Sequence, residues 1–431
     1  MSKRQLVNWL QNLILTLLTI SALFLLTRLF LFHGGLSAQV QATFSPPSSP
    51  SHPAGDGYNS GLPFSSVHIM VTGDSAYGRY GQMYATASDP LLQQIIPLFR
   101  EALGSASEVG STVDKTLRDA LQTPGIYLDL TCCLPLAAVS VWLGEDAFFD
   151  RSVCAMALTT ELEDAATLYL LSNDGSIFRY FTALPTSAVQ TLCEDSAPNE
   201  GSFAYESGYG GLPPYTVLVG EAPVLEDVQA GLPSQYSAHN LLTALDFNAY
   251  TTSRYTETSS GVEVVEESPR TLRIGPDGRV EYFGGSEVSS NLYRVSAPHG
   301  KPSDVLQGVC RLADALTTGT GAARLYLQAL ETDEEGYCVR FQYQTDGIPV
   351  FFADEGDALT VHVNGGVITA FQYRCRSYGL PSKEDERGGG PLPLLPPSMA
   401  AAIASSGSGT GLSIGYVDAG SGRLSAQWLA K

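Results

Sequence analysis

Thr167-Leu168-Tyr169-Leu170-Leu171, then Asn173-Asp174-Gly175, then Ile177-Phe178-Arg179-Tyr180-Phe181-Thr182: aliphatic and aromatic runs on either side of a turn tripeptide predict two antiparallel strands. Val153 to Leu158, just upstream, supplies a third run, so the three form a meander. A short helix is expected around Ser187 to Leu192. Further upstream, Ser66 to Thr72 alternates as a strand. Asp89-Pro90 then opens a helix whose Leu91, Leu92, Ile95, Phe99, Ala102 and Leu103 recur at helical spacing. A second helix near Thr112 to Leu121 stops at Pro124-Gly125, and Ile126 to Leu130 begins another strand.

Downstream the same logic repeats. The Pro/Gly/Ser-rich stretch Ser196 to Pro214 reads as a boundary, followed by a helix from about Ala238 to Leu245. Four short strands are expected at Ser253 to Thr258, Val262 to Glu266, Thr271 to Ile274 and Arg279 to Phe283. They are punctuated by Ser259-Ser260-Gly261 and Pro276-Asp277-Gly278. A helix from Ser303 to Leu316 puts Val305, Leu306, Val309, Leu312, Ala313 and Leu316 on one face, which must cover a sheet. Strands follow at Ala323 to Ala329, Tyr337 to Tyr343, Ala358 to Val363 and Val367 to Arg374, the last two joined by Asn364-Gly365-Gly366. After a charged and Gly/Pro-rich loop, Ser382 to Pro397, come a helix at Met399 to Ala404 and strands at Ser413 to Val417 and Leu424 to Trp428. Consecutive strands with sparse helices, and no regular βαβ alternation, define an α+β protein with antiparallel sheets and packed helices.

The N-terminus is of another kind. Lys3 and Arg4 precede an apolar run, and Leu6 to Thr27 is long enough to cross a hydrocarbon core of about 30 Å, with Arg28 able to reach the interface. Positive residues before the span favour a cytoplasmic N-terminus and place residues after about 34 outside the cell membrane. A cleaved signal peptide, with Leu36-Ser37-Ala38 at the cut, is the alternative; the length of the run and the internal Arg28 favour a retained single-pass transmembrane anchor. The expected division is 1–35 cytoplasmic N-terminus and anchor, 36–62 stalk, 63–210 first extracytoplasmic domain, 211–300 central domain and 301–431 C-terminal domain. A net charge of −20 argues against nucleic acid as a partner, and a hydrophobic content of 44% is too high for a disordered tail.

Candidate sites are few. Gly73-Asp74-Ser75 resembles the nucleophile block of GDS-type esterases, but no late histidine has an aspartate three residues before it, so a polar strand end is expected. The six histidines form no HExxH or H-x-H pair, and Asp333-Glu334-Glu335 and Asp354-Glu355-Gly356-Asp357 lack the alternating ligands of a calcium loop. No catalytic residue, cofactor or metal site is therefore expected. Paired glycosidase carboxylates cannot be read from spacing alone. Tyr205, Tyr209 and Tyr215 among glycines form either a ligand-binding aromatic loop or, the reading favoured here, a turn packed on its own sheet. The seven cysteines have no zinc spacing; buried thiols are expected, with a Cys338–Cys375 bridge across neighbouring strands as the alternative. In the anchor, Asn12, Thr16 and Thr19 share one helical face and are the candidate partner-binding residues, unless their side chains bond their own backbone.

Several segments resemble the YycH family of membrane-anchored regulators. They are Leu245-Asp246-Phe247-Asn248, Ser253-Arg254-Tyr255-Thr256-Glu257, the hairpin from Leu272-Arg273-Ile274 to Gly278-Arg279-Val280-Glu281-Tyr282, and the early Gly78-Arg79-Tyr80-Gly81. Phe341-Gln342-Tyr343, Gly347-Ile348-Pro349-Val350, Asn364-Gly365-Gly366 and Gly415-Tyr416-Val417-Asp418 ahead of Trp428 resemble its YycI-type, PepSY-like portion. The insert Ser382 to Gly390 and the cysteines depart from that pattern. The resemblance implies a non-enzymatic accessory regulator of the WalK-type sensor histidine kinase of Gram-positive bacteria. Such a protein modulates signalling for cell-wall homeostasis, with the kinase and a sister YycH/YycI-type protein as partners. The alternative is an anchored envelope module that binds or scaffolds a wall polymer or an exported protein.

Overall fold

A computed structural model describes residues 64–73, 78–145, 151–285, 290–295, 301–332, 336–381, 393–406, 411–420 and 422–430. The anchor, the stalk, Asp74-Ser75, Asp333-Glu334-Glu335 and the insert from residue 382 lie outside them. Among the described residues no helix is long and apolar enough to cross a membrane. Residues Ala54–Lys431 form one unit.

The expected meander is the middle of a seven-stranded sheet. Its strands are β1 (Val67–Thr72), β2 (Tyr80–Ala85), β3 (Ser107–Thr112), β4 (Gly125–Pro135), β5 (Ser152–Thr159), β6 (Ala165–Leu171) and β7 (Ile177–Pro185), in the order β2-β1-β4-β5-β6-β7-β3. Neighbours are antiparallel throughout. The β6–β7 turn closes through the Ser176 N–H donating to Asp174 Oδ1 at 2.9 Å, with Gly175 at φ 80°. Alternation along β1 sends Val67, Ile69 and Val71 into the main core and leaves His68 and Met70 on the other face.

Three helices cover the core side: α1 (Pro90–Gly104), α3 (Leu136–Leu143) and α4 (Thr186–Asp195); α2 (Asp114–Ala120) packs on the opposite face, where Leu117 and Ala120 meet Met70 and Tyr127. Helix α1 begins where the Asp89 carboxylate accepts the Leu91 N–H at 2.9 Å, with Pro90 at the first position, where a missing donor costs nothing. Its Leu92, Ile95, Phe99, Ala102 and Leu103 are buried, as the periodicity predicts, and Ile96 is buried beside them. Helix α3 has no such signal: LAAVSVWL is apolar all round, because it is buried between α1 and the second half of the molecule. Strand β3 is likewise silent in sequence, since five of its six residues lack apolar alternation and its pairing with β7 alone makes it a strand.

The strands expected for the central and C-terminal stretches lie together in one eleven-stranded sheet, along with one that was not expected, Ile348–Phe352. These are β11 (Arg254–Thr256), β12 (Glu263–Glu267), β13 (Arg270–Ile274), β14 (Arg279–Phe283), β15 (Leu325–Thr332), β16 (Gly336–Thr345), β17 (Ile348–Phe352), β18 (Leu359–Asn364), β19 (Val367–Arg374), β21 (Leu412–Asp418) and β23 (Gln427–Ala430). The order is β11-β12-β13-β14-β19-β18-β16-β17-β21-β23, with β15 also on β16. Tyr282 of β14 faces Phe371 of β19, so the two stretches join ladder to ladder. Among the described strands only β17 and β21 pair in parallel. Helix α6 (Pro302–Thr320) lays its predicted apolar face, Val305, Leu306, Val309, Leu312 and Leu316, on this sheet, while α5 (Ala238–Ala244) packs beside α6. A small sheet of β20 (Ser377–Gly379), β10 (Val228–Gly231) and β22 (Gly422–Leu424), the pair β8 (Ser202–Phe203) and β9 (Val217–Leu218), and helix α7 (Pro397–Ser406) complete the described elements. The expected last strand is two, β22 and β23, because residues 425–426 break the ladder.

The expected buried thiols are present at Cys193, Cys310 and Cys375, but the alternative bridge is corrected. Cys133 is joined to Cys154, and Cys338 and Cys375 are not joined to each other. Cys338 of β16 sits opposite His362 of β18, and β18 separates it from β19, beyond whose end Cys375 lies. The bridge closes a separation of 21 residues. Its removal by Cys154→Ser is expected to destabilise the fold by about 3 kcal/mol through loop entropy in the unfolded chain. Urea unfolding of the oxidised protein, the reduced protein and the variant checks this. The last two should agree, and a loss below about 0.5 kcal/mol would mean that the bridge closes nothing the fold does not already hold.

Candidate functional site

The first described residues run between the two sheets. The Phe64 ring stacks on Trp142 of α3, with centroids 4.7 Å apart, and its backbone makes a parallel bridge to Leu327 of β15. Ser65 Oγ donates to the Leu327 carbonyl at 2.7 Å, Ser66 Oγ to the Gly347 carbonyl at 2.5 Å, and the Ser66 N–H to Gln344 Oε1 at 3.2 Å. Gly347 has φ 81°, and a Cβ there would meet the Tyr84 carbonyl at 2.7 Å; only glycine allows the β16–β17 turn this close to β2. Tyr84 Oη in turn donates to the Ile414 carbonyl at 2.9 Å and accepts the Ile414 N–H. The chain N-terminal to Phe64 is thus attached at a seam tied on one side to the first sheet and on the other to β15, β16 and β21.

Beside this seam lies a cleft of about 850 Å³. Its floor is the face of the first sheet that α1, α3 and α4 leave uncovered, with His68, Tyr127 and Asp129; Gln328, Gln344 and Ser413 close it from the second sheet, and Ser66 is in its wall. His68 of β1 is the register partner of Asp129 of β4, so the two side chains share a face. Nδ1 lies 3.6 Å from Asp129 Oδ2, the His68 ring stands edge-on to Tyr84 at 4.7 Å, and its side chain is 8% exposed. Nε2 has no hydrogen-bond partner among the described residues, nor has Ser413 Oγ. Burial is the main cause holding the Tyr84 phenol above its ordinary value, opposed by its bond to Ile414 and aided by the Asp129 charge.

A bulge in β4 shapes the cleft. Asp129 pairs with Ala155 and Leu134 with Val153, so residues 130–133 stand opposite Cys154 alone. Thr131 takes φ 59°, an unfavourable value for a β-branched residue, at a cost of about 1–3 kcal/mol. Its N–H donates to Asp129 Oδ1 at 2.9 Å and its hydroxyl to the Ser66 carbonyl at 2.9 Å, while the disulfide pins the base of the bulge. On the far side of the bulge a second cavity of about 650 Å³ adjoins the first, sharing Cys132, Cys133, Gln328 and Phe351. It adds Glu331, Arg340, Gln342, Glu355 and Asp357, of which Asp357 has its carboxyl raised by burial.

The sequence-predicted candidates fall elsewhere. Asn12, Thr16 and Thr19 lie outside the described residues. Tyr205 and Tyr215 form an aromatic cluster with Phe203 and Tyr127, with Phe203 stacked on Tyr205 at 5.5 Å, and Tyr209 donates to the Ser398 carbonyl on α7 at 3.2 Å. The packed-turn reading therefore holds, although Tyr215 also borders the cleft. Asp354 is held by Arg374 and Arg279. Among the described residues no three His, Cys, Asp or Glu side chains gather as metal ligands. No motif marks His68 or Asp129. A lone histidine in the otherwise apolar Val67-His68-Ile69-Met70 is the one local sign of the cleft.

The sequence matches no described protein family. No curated protein matches it. Among solved structures it is similar to the crystal structure of YycH from Bacillus subtilis, with a TM-score of 0.49 and 11% identity, over 86% of this chain and 96% of that one. No residue role is carried across a likeness this distant.

Proposed function

We propose that the chain is a single-pass membrane protein, cytoplasmic at its N-terminus, whose outer α+β body regulates a WalK-type sensor histidine kinase through its anchor and by contact, without turnover. The observation that supports this is the seam: Ser66, four residues beyond the stalk expected at 36–62, bonds both sheets and borders the cleft. A ligand or partner that changes the spacing of the sheets therefore acts on the residues where the tether begins. An added helix that favours one of two packings of a kinase helix bundle would convert that displacement into signalling output.

Asn12, Thr16 and Thr19 are the residues that would bond the kinase helices. Interhelical bonds of this kind average about 0.6 kcal/mol each, so replacing all three by Leu should weaken association about twenty-fold. Membrane crosslinking and pull-down from the host, with the kinase and its output measured, test this. Unchanged recovery and output would end the anchor reading. The cleft favours a second reading, an envelope binding module, in which a span-swapped protein recovers the same envelope partner as the native one.

A further inference from the structure

We propose that the two adjoining cavities form one binding site for an extended peptide segment carrying lysine or arginine, contributed by another protein. Three observations carry this. Of the carboxylates lining the site, Asp129 and Glu355 form no ion pair with Lys or Arg among the described residues, and Arg340, the one Lys or Arg among the described lining residues, is taken by Glu331. Unmatched negative charge in a concave surface favours a cationic ligand.

The second observation is independent of charge. His68 Nε2 belongs to a side chain in the cleft lining that is 8% exposed, and among the described residues nothing pairs with it. A buried polar atom left bare is costly, and a polar group of the ligand relieves it. The third observation is shape. The cavities of about 850 and 650 Å³ meet beneath the bulge, and together they exceed the roughly 300–1,000 Å³ of a small-molecule pocket. Gln328, Gln342 and Gln344 line them and offer side-chain amides to an extended backbone, the Gln342 and Gln344 oxygens already accepting the Ala358 and Ser66 N–H groups.

This step does not depend on kinase control, and the test reads binding alone. The full-length chain in detergent micelles is titrated into a fluorescent hexapeptide of alternating lysine and alanine, with its glutamate–alanine counterpart and spermine run alongside. Saturable binding of the lysine peptide alone is expected, lowered about tenfold by Asp129→Asn or Glu355→Gln. Glu101→Gln, the same charge change on the far, helix-covered side, should alter it by less than about twofold. Should Asp129→Asn disturb folding, the exposed Glu355 carries the test. Absence of binding, equal binding of the glutamate peptide, an equal loss with Glu101→Gln, or displacement by spermine at the peptide's own concentration would each overturn the proposal. A failure here leaves the pull-down result standing, and the reverse also holds.

Discussion

Asp418→Ala is expected to lower the unfolding free energy by about 3–5 kcal/mol, because it leaves a buried guanidinium without its counter-ion. Asp418 ends β21 at 2% exposure. Its carboxylate lies 3.3 Å from Arg376 Nε and accepts from Tyr378 Oη at 2.9 Å and the Gly420 N–H at 2.6 Å. Arg376, 8% exposed, keeps only carbonyl partners once the carboxylate is gone, chiefly Asp277 at 2.7 Å. Burial first, then the Asp418 charge, holds the Tyr378 phenol far above its usual range, so it remains a donor. The neighbouring small sheet, where β10 pairs with β20 and β22, would loosen with this cluster. Urea unfolding of Asp418→Ala, Arg376→Met and the double variant measures the coupling. The double variant should recover much of the single loss, and a cost below about 1 kcal/mol for Asp418→Ala would show that the pair is not buried as described.

Phe371→Ala should cost a similar amount, about 3–5 kcal/mol, by a different route. Tyr282 is stacked between Phe371, at 5.1 Å, and Tyr293, at 4.6 Å, and the Tyr293 hydroxyl donates to the Leu245 carbonyl at 2.8 Å at the end of α5. Removing the Phe371 ring opens a cavity at the point where β14 and β19 join the central and C-terminal strands into one sheet. Phe371→Leu retains most of the volume and should cost less than about 1.5 kcal/mol. Chemical denaturation of the two variants decides: if they lose equally, the cavity is not the cause.

The β13–β14 and β18–β19 hairpins and helices α1 and α6 were legible because their signals are local: turn residues between short runs, and an apolar stripe repeated over more than three turns. Strands β2, β3 and β17 and helix α3 were not. Tyr80–Ala85 becomes a strand through β1, Ser107–Thr112 through β7, and Leu136–Leu143 is apolar on every side. The β14–β19 junction joins residues about ninety positions apart, a separation that no window of sequence spans. The cleft is less legible still. His68 and Asp129 are sixty-one residues apart, Gln344 and Ser413 come from the other sheet, and only the register of β1 on β4 and the seam bring them together. The disulfide was hidden for the same reason, since it depends on a bulge that places four residues opposite one.

The attachment at Phe64 also has a mechanical meaning. Tension on the preceding chain is delivered first to the hydrogen bonds of Ser65 and Ser66 and to the Phe64–Trp142 stack, before any full strand ladder carries load. These few contacts make a link that yields ahead of the sheets, so a force too small to unfold the body can still peel Phe64 to Ser66 from the second sheet.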